Sequence, residues 1–110
     1  MINNKWIIIA LAAVFGSITF SANATTDGVC YKVRNVENWD ALNIRAARSA
    51  SSHIVGTIPP QQFGIIAKAG ACAPISLPLA SRWCQIAYYD GDATLHGYVK
   101  RRYLEKSECP

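Results

Sequence analysis

Leu42 to Pro59 reads LNIRAARSASSHIVGTIP, and the fold is decided there. Leu42-Asn43-Ile44-Arg45 alternates apolar with polar residues, the period of a strand with one face buried. Ala46 to His53 is small and polar, which reads as a loop. Ile54-Val55-Gly56-Thr57-Ile58 is rich in β-branched residues, whose stiff side chains suit a pleated surface. Pro59-Pro60 then stops the run, because proline has no N–H to give to a ladder.

The same pattern continues on both sides. Val29-Cys30-Tyr31-Lys32-Val33-Arg34 alternates, with Val29, Tyr31 and Val33 on one face. Asn35 to Ala41 is polar and turn-like, with Trp39 inside it. Phe63 to Ala69 reads as another strand, and Gly70 to Ser81, with Pro74 and Pro78, as a loop. Trp83 to Tyr89 is a strand with Cys84, Ile86 and Tyr88 on one face and Trp83, Gln85, Ala87 and Tyr89 on the other. Asp90-Gly91-Asp92 is a hairpin signal, Leu95 to Val99 returns, and Lys100 to Leu104 is short enough for a single helical turn. There is no sustained helical period and no repeat. Short strands broken by Gly and Pro turns predict an all-β fold, a small antiparallel barrel of five strands.

The chain has 110 residues, Lys+Arg 11 against Asp+Glu 7, and a net charge of +4. Its 51% hydrophobic content is inflated at the start, where Trp6 to Phe20 is one apolar run. Lys5 precedes that run and Ser21-Ala22-Asn23-Ala24 follows it. A basic start, an apolar stretch and an A-x-A ending are the pattern of a secretory signal peptide over residues 1–24, cleaved after Ala24. The run is short of the about 20 residues that a membrane span needs. Removing 24 of 110 residues leaves 86, and losing Lys5 lowers the charge from +4 to +3. A domain over residues 25–110 is too small for a Rossmann or TIM-barrel enzyme, and its core alone is marginal. Lys100-Arg101-Arg102 is the one basic run, too brief for a nucleic-acid stripe. The expected location is periplasmic or secreted, with no nucleic-acid partner and no membrane span in the mature chain.

Export leads to compartments where thiols pair. Cys30, Cys72, Cys84 and Cys109 allow three connectivities. Cys72–Cys84 and Cys30–Cys109 are favoured: the first pair brackets the loop between two strands, and the second joins ends that a small barrel brings together. Loop-closure entropy gives about 3 kcal/mol for the short ring and about 4 to 5 for the long one. The spacings lack the close ligand pairs of a zinc site, and nothing places His53 or His96 beside a thiolate. No metal and no cofactor are expected.

From Leu42 to Pro59 the chain resembles the bacterial SH3 domain family: a leucine-asparagine-aliphatic-arginine strand, a small-residue loop, then an aliphatic strand with glycine before a turn. Trp83-Cys84-Gln85-Ile86, Asp90-Gly91, Gly97-Tyr98-Val99-Lys100 and Tyr103-Leu104 resemble the family's tryptophan strand, tight turn and closing strand. The likeness covers about residues 29–104. It implies a five-stranded SH3-like barrel without catalysis, of the kind found in exported proteins that bind peptidoglycan or peptide. It also implies that Trp83 and Tyr103 take the aromatic positions of a ligand groove, with Lys100 where eukaryotic relatives place a groove proline.

Trp83, Tyr103 and Tyr89 are therefore candidate stacking residues, with Trp39 at the rim of the same face and Lys100 as a cation for an anionic partner. Arg45 is expected to pair with Asp40 or Glu37. Asp90 and Asp92 serve the hairpin turn, and both histidines are expected in solvent. With no nucleophile–base constellation, phosphate loop or metal box, the chain is expected to bind rather than to catalyse. Its partner is then peptidoglycan or an envelope peptide or protein; the alternative is a small periplasmic inhibitor or immunity-type protein that binds a toxin or enzyme.

Overall fold

In the computed structural model, residues 28–110 are described; the signal-peptide assignment lies outside them. The chain forms β1 (Val29–Val33), β2 (Leu42–Arg45), β3 (Ile54–Ile58), β4 (Ile65–Ala73), β5 (Trp83–Asp90), β6 (Ala93–Lys100) and β7 (Leu104–Glu108). Among the described residues, short 3-10 turns at Leu79–Ser81 and Arg101–Tyr103 are the remaining regular elements. All pairings are antiparallel, and the sheet order is β3-β2-β6-β5-β4-β1-β7.

The all-β class is as expected; the described residues form seven strands, against the five expected of the barrel and the six strand-like runs legible in the sequence. β7 (LEKSE) escaped the sequence because Leu104 is its one strongly apolar residue; it is an edge strand held to β1 by backbone pairing from Val29↔Glu108 to Val33↔Leu104. β4 also runs past the expected end at Ala69. After a register shift between Lys68 and Cys72 it resumes pairing at Cys72↔Cys84 and Ala73↔Trp83. A bulge of this kind bends a strand without ending it. The expected helical turn is there, as the 3-10 turn Arg101–Tyr103.

Tyr31, Leu42, Ile44, Ile58, Ile66, Cys84, Ile86, Tyr88, Val99 and Leu104 form one buried cluster. Every strand supplies at least one of them, so the sheet curls around a common core. Each fully buried Ile, Leu or Val contributes about 1.5–3 kcal/mol by leaving water. The two bridges are Cys30–Cys109 and Cys72–Cys84, the pairing favoured from sequence, with separations of 79 and 12 residues. Core and bridges both lie within residues 29–109.

Two local devices fix the geometry. At Gly97 an added Cβ would come within 2.5 Å of Ile44 Cγ2 and 2.6 Å of the Arg45 carbonyl oxygen; only a bare backbone lets β2 lie this close to β6. Gln62, at φ 48°, turns its amide onto β1: Oε1 accepts from Val33 N at 2.9 Å and Nε2 donates to the Tyr31 carbonyl at 3.1 Å. This side chain stands in for a strand partner, since buried backbone groups must be paired somewhere.

Candidate functional site

The β5–β6 hairpin sets the site. Its turn has Gly91 at φ 63° as the first of two loop residues, a position that favours glycine. Counting back from that turn, the register places Trp83 opposite Lys100. The 3-10 turn that follows β6 then brings Tyr103 to the same end. Lys100 Nζ lies 5.1 Å from the Trp83 ring centroid and donates to the Ser81 carbonyl at 3.3 Å. One ring face is thus covered by a cation, and the indole is half-buried.

The facing wall is the connection from β1 to β2. Asn35 leaves β1 at φ 60°, and its Nδ2 donates to the Arg102 carbonyl at 3.1 Å. Arg34 N donates to the Tyr103 carbonyl at 2.9 Å. A turn at 37–40 is closed by Asp40 N donating to the Glu37 carbonyl at 3.0 Å, and Asp40 Oδ1 accepts from Ala41 N at 2.7 Å. Between the walls lies an open groove of about 490 Å³, lined by Trp83, Tyr103, Lys100 and Arg102 on one side and Glu37 and Asp40 on the other. Aromatic faces, carboxylates and cations together suit a ligand with both an apolar body and charged groups.

Three of the five candidate binding residues, Trp83, Tyr103 and Lys100, meet in this groove. Trp39 does not line it; it is 82% exposed on the turn between the lining residues Glu37 and Asp40. Tyr89 is not brought to it either. It sits near the far end of β5, about 20 Å from Trp83 at the usual strand rise, paired with Ile65 and Thr94. Arg45 is a correction: its Nη1 donates to the Ser52 carbonyl at 3.0 Å instead of meeting Asp40 or Glu37. Glu37 and Asp40 are thereby left to the groove, a role the sequence hid because it depends on where the turn 37–40 stands. Asn35 was missed, because a left-handed asparagine is a signal visible only in the backbone, while Arg102 was read only as part of the basic run Lys100-Arg101-Arg102.

Of the pair Tyr98 and Val99, Val99 enters the core, while Tyr98 faces out under Arg48, 4.9 Å from its ring centroid. His53 and His96 are exposed, as expected, and neither lines the groove. Every cysteine is bridged, so no thiolate nucleophile is present. Among the described residues no group of three or more His, Cys, Asp or Glu could hold a metal ion, and no helix is long and apolar enough to cross a membrane. The Tyr88 phenol is pushed upward, first by burial and then by the Asp90 charge. The nearby Gly64 backbone tempers this, yet the hydroxyl meets no partner in hydrogen-bonding geometry.

Comparison with protein-family models, with curated proteins and with solved structures finds no match to the chain.

Proposed function

We propose that the chain is an exported, non-catalytic SH3-like binding module whose groove takes peptidoglycan or an envelope peptide. The order of its parts supports the fold reading. β1, β4, β5, β6 and β7 supply the five strands of such a barrel, the β2–β3 hairpin is the excursion between the first two, and the 3-10 turn precedes the last strand. The strand count of seven then arises from five barrel strands plus one inserted hairpin. Two disulfides in so small a domain point to an oxidising, extracytoplasmic compartment. The signal peptide over residues 1–24 would deliver it to the periplasm or the exterior.

One observation carries the binding role: Trp83, Lys100 and Tyr103 converge with Glu37 and Asp40 on a single groove. Stacking rings hold an extended peptide or a sugar face at low entropic cost, and the two charged walls set its direction. Trp83→Ala and Tyr103→Ala are each expected to weaken retention on peptidoglycan sacculi, or on the best binder from a peptide library, by about tenfold or more. Folded variants that bind as tightly as the parent overturn the reading.

A further inference from the structure

The excursion from β4 to β5 shows exposed aliphatic side chains on an ordered backbone. Ile75 is 80% exposed, Leu79 49% and Leu77 40%. Its two ends are clamped by the cross-strand bridge Cys72–Cys84. Within it, Arg82 folds back: Nε donates to the Leu77 carbonyl at 2.8 Å and Nη2 to the Ile75 carbonyl at 3.2 Å. Leu77 N, Ser81 N and Arg82 N donate to the carbonyls of Pro74, Pro78 and Leu79. Lys100 Nζ takes the Ser81 carbonyl, Arg102 Nε the Ala80 carbonyl and Arg101 N the Arg82 carbonyl. Eight of the nine carbonyls from Pro74 to Arg82 are thus satisfied internally, and Pro74 and Pro78 carry no N–H to satisfy. Of its seven N–H groups, those of Leu77, Ser81 and Arg82 are paired, so the loop suits the polar interface of a bilayer, where water and headgroups serve the other N–H groups, rather than its hydrocarbon core.

Cations surround it. Arg34, Arg101, Arg102 and Lys106 share a surface depression with Leu79 and Ala80, where Glu105 is the one carboxylate. Arg82 and Lys100 add their charges from the loop itself. A carbonyl partner is neutral, so it leaves these charges uncompensated. At the other end of β5 the hairpin carries Asp90 and Asp92, about 23 Å away along the strand. At the loop's end Arg34, Arg82, Lys100, Arg101, Arg102 and Lys106 outnumber the carboxylates Glu37, Asp40 and Glu105, while the far hairpin turn carries only carboxylates.

We propose that this loop is a membrane-docking surface, in which Ile75, Leu77 and Leu79 enter the interface of a bilayer bearing anionic headgroups while the surrounding cations meet the phosphates. Aliphatic tips beside cations match the layering of such an interface. A soluble polyanion would need the cations alone. The surface adjoins the groove and shares Lys100 and Arg102 with it, but Ile75, Leu77 and Leu79 lie outside the groove lining.

The test uses the oxidised chain from Thr25, which omits the apolar run at 6–20 that would itself enter lipid. Co-sedimentation with phosphatidylcholine vesicles is compared with and without phosphatidylglycerol. Binding is expected only where phosphatidylglycerol is present. Lys106→Glu, a change of two charges on an exposed side chain, lowers the partition coefficient about thirtyfold. Ile75→Ser, at a side chain 80% exposed, lowers it about fivefold while leaving the salt dependence unchanged. Circular dichroism checks that each variant is folded. Equal binding to both vesicle types, no binding by the folded parent, or an Ile75→Ser variant that binds like the parent each overturns the proposal. So does soluble polyglutamate binding as tightly as the anionic vesicles, which would make the surface a charge patch for an acidic protein.

Discussion

Tyr88 shows how one side chain links the core to solvent pH. Its ring is in the central cluster, and its hydroxyl is buried without a hydrogen-bond partner. Burial, then the Asp90 charge, raises its pKa above the ordinary tyrosine value of 10.0. Neutral phenol is therefore favoured in the folded state. The resulting stability is complete below the unfolded pKa and is lost as pH rises through the folded one, because the unfolded chain gives up its proton first. Tyr88→Phe removes both the unpartnered hydroxyl and this titration. Its stability near neutral pH is expected to equal the parent's or exceed it by up to about 1 kcal/mol. Urea midpoints measured from pH 8 to pH 11 should fall less steeply for the variant than for the parent. A variant that loses stability at neutral pH would mean that the hydroxyl has a partner after all.

Among the elements, the contact of β2 with β6 depends on a glycine. It joins the β2–β3 hairpin to the rest of the sheet, and it passes over Gly97, where a methyl would press on Ile44 and on the Arg45 backbone. Gly97→Ala is expected to cost about 1–3 kcal/mol through forced separation. Amide exchange should show Leu42–Arg45 losing protection before β5 does. Sequence made this region legible as a strand–loop–strand unit because LNIR and IVGTI alternate or branch so plainly. The faces of β5 were legible as well, with Cys84, Ile86 and Tyr88 all inward. β7 was not, since alternation carries no signal when only Leu104 is buried and the rest is held by backbone pairing. The continuation of β4 was hidden for another reason. Gly70-Ala71-Cys72-Ala73 has the composition of a loop, and cross-strand pairing with β5 overrides that preference. In the groove, Trp83, Lys100 and Tyr103 could be read from a motif in one hairpin and its turn. Glu37 and Asp40 could not, because a contact between distant segments has no local pattern.

At the scale of the molecule, the two bridges divide the work unequally. Cys72–Cys84 closes a ring of separation 12 and Cys30–Cys109 one of separation 79. Removing the first with paired serines is expected to cost about 3 kcal/mol and removing the second about 4 to 5, since longer rings restrict the unfolded chain more. Urea unfolding of the two double variants checks this order. Equal losses would show that local packing around each bridge, rather than ring size, sets its worth. In a domain whose total stability is about 5–15 kcal/mol, either loss is large.

Because the bridge from Cys30 to Cys109 encloses nearly the whole domain, a protease that nicks the exposed serine-rich turn near residue 50 releases nothing. Both halves stay tethered through sulfur and remain seated on the same core. A module built like a clasped bracelet can thus be cut once and still keep its shape, which suits service where proteases are common and replacement is slow.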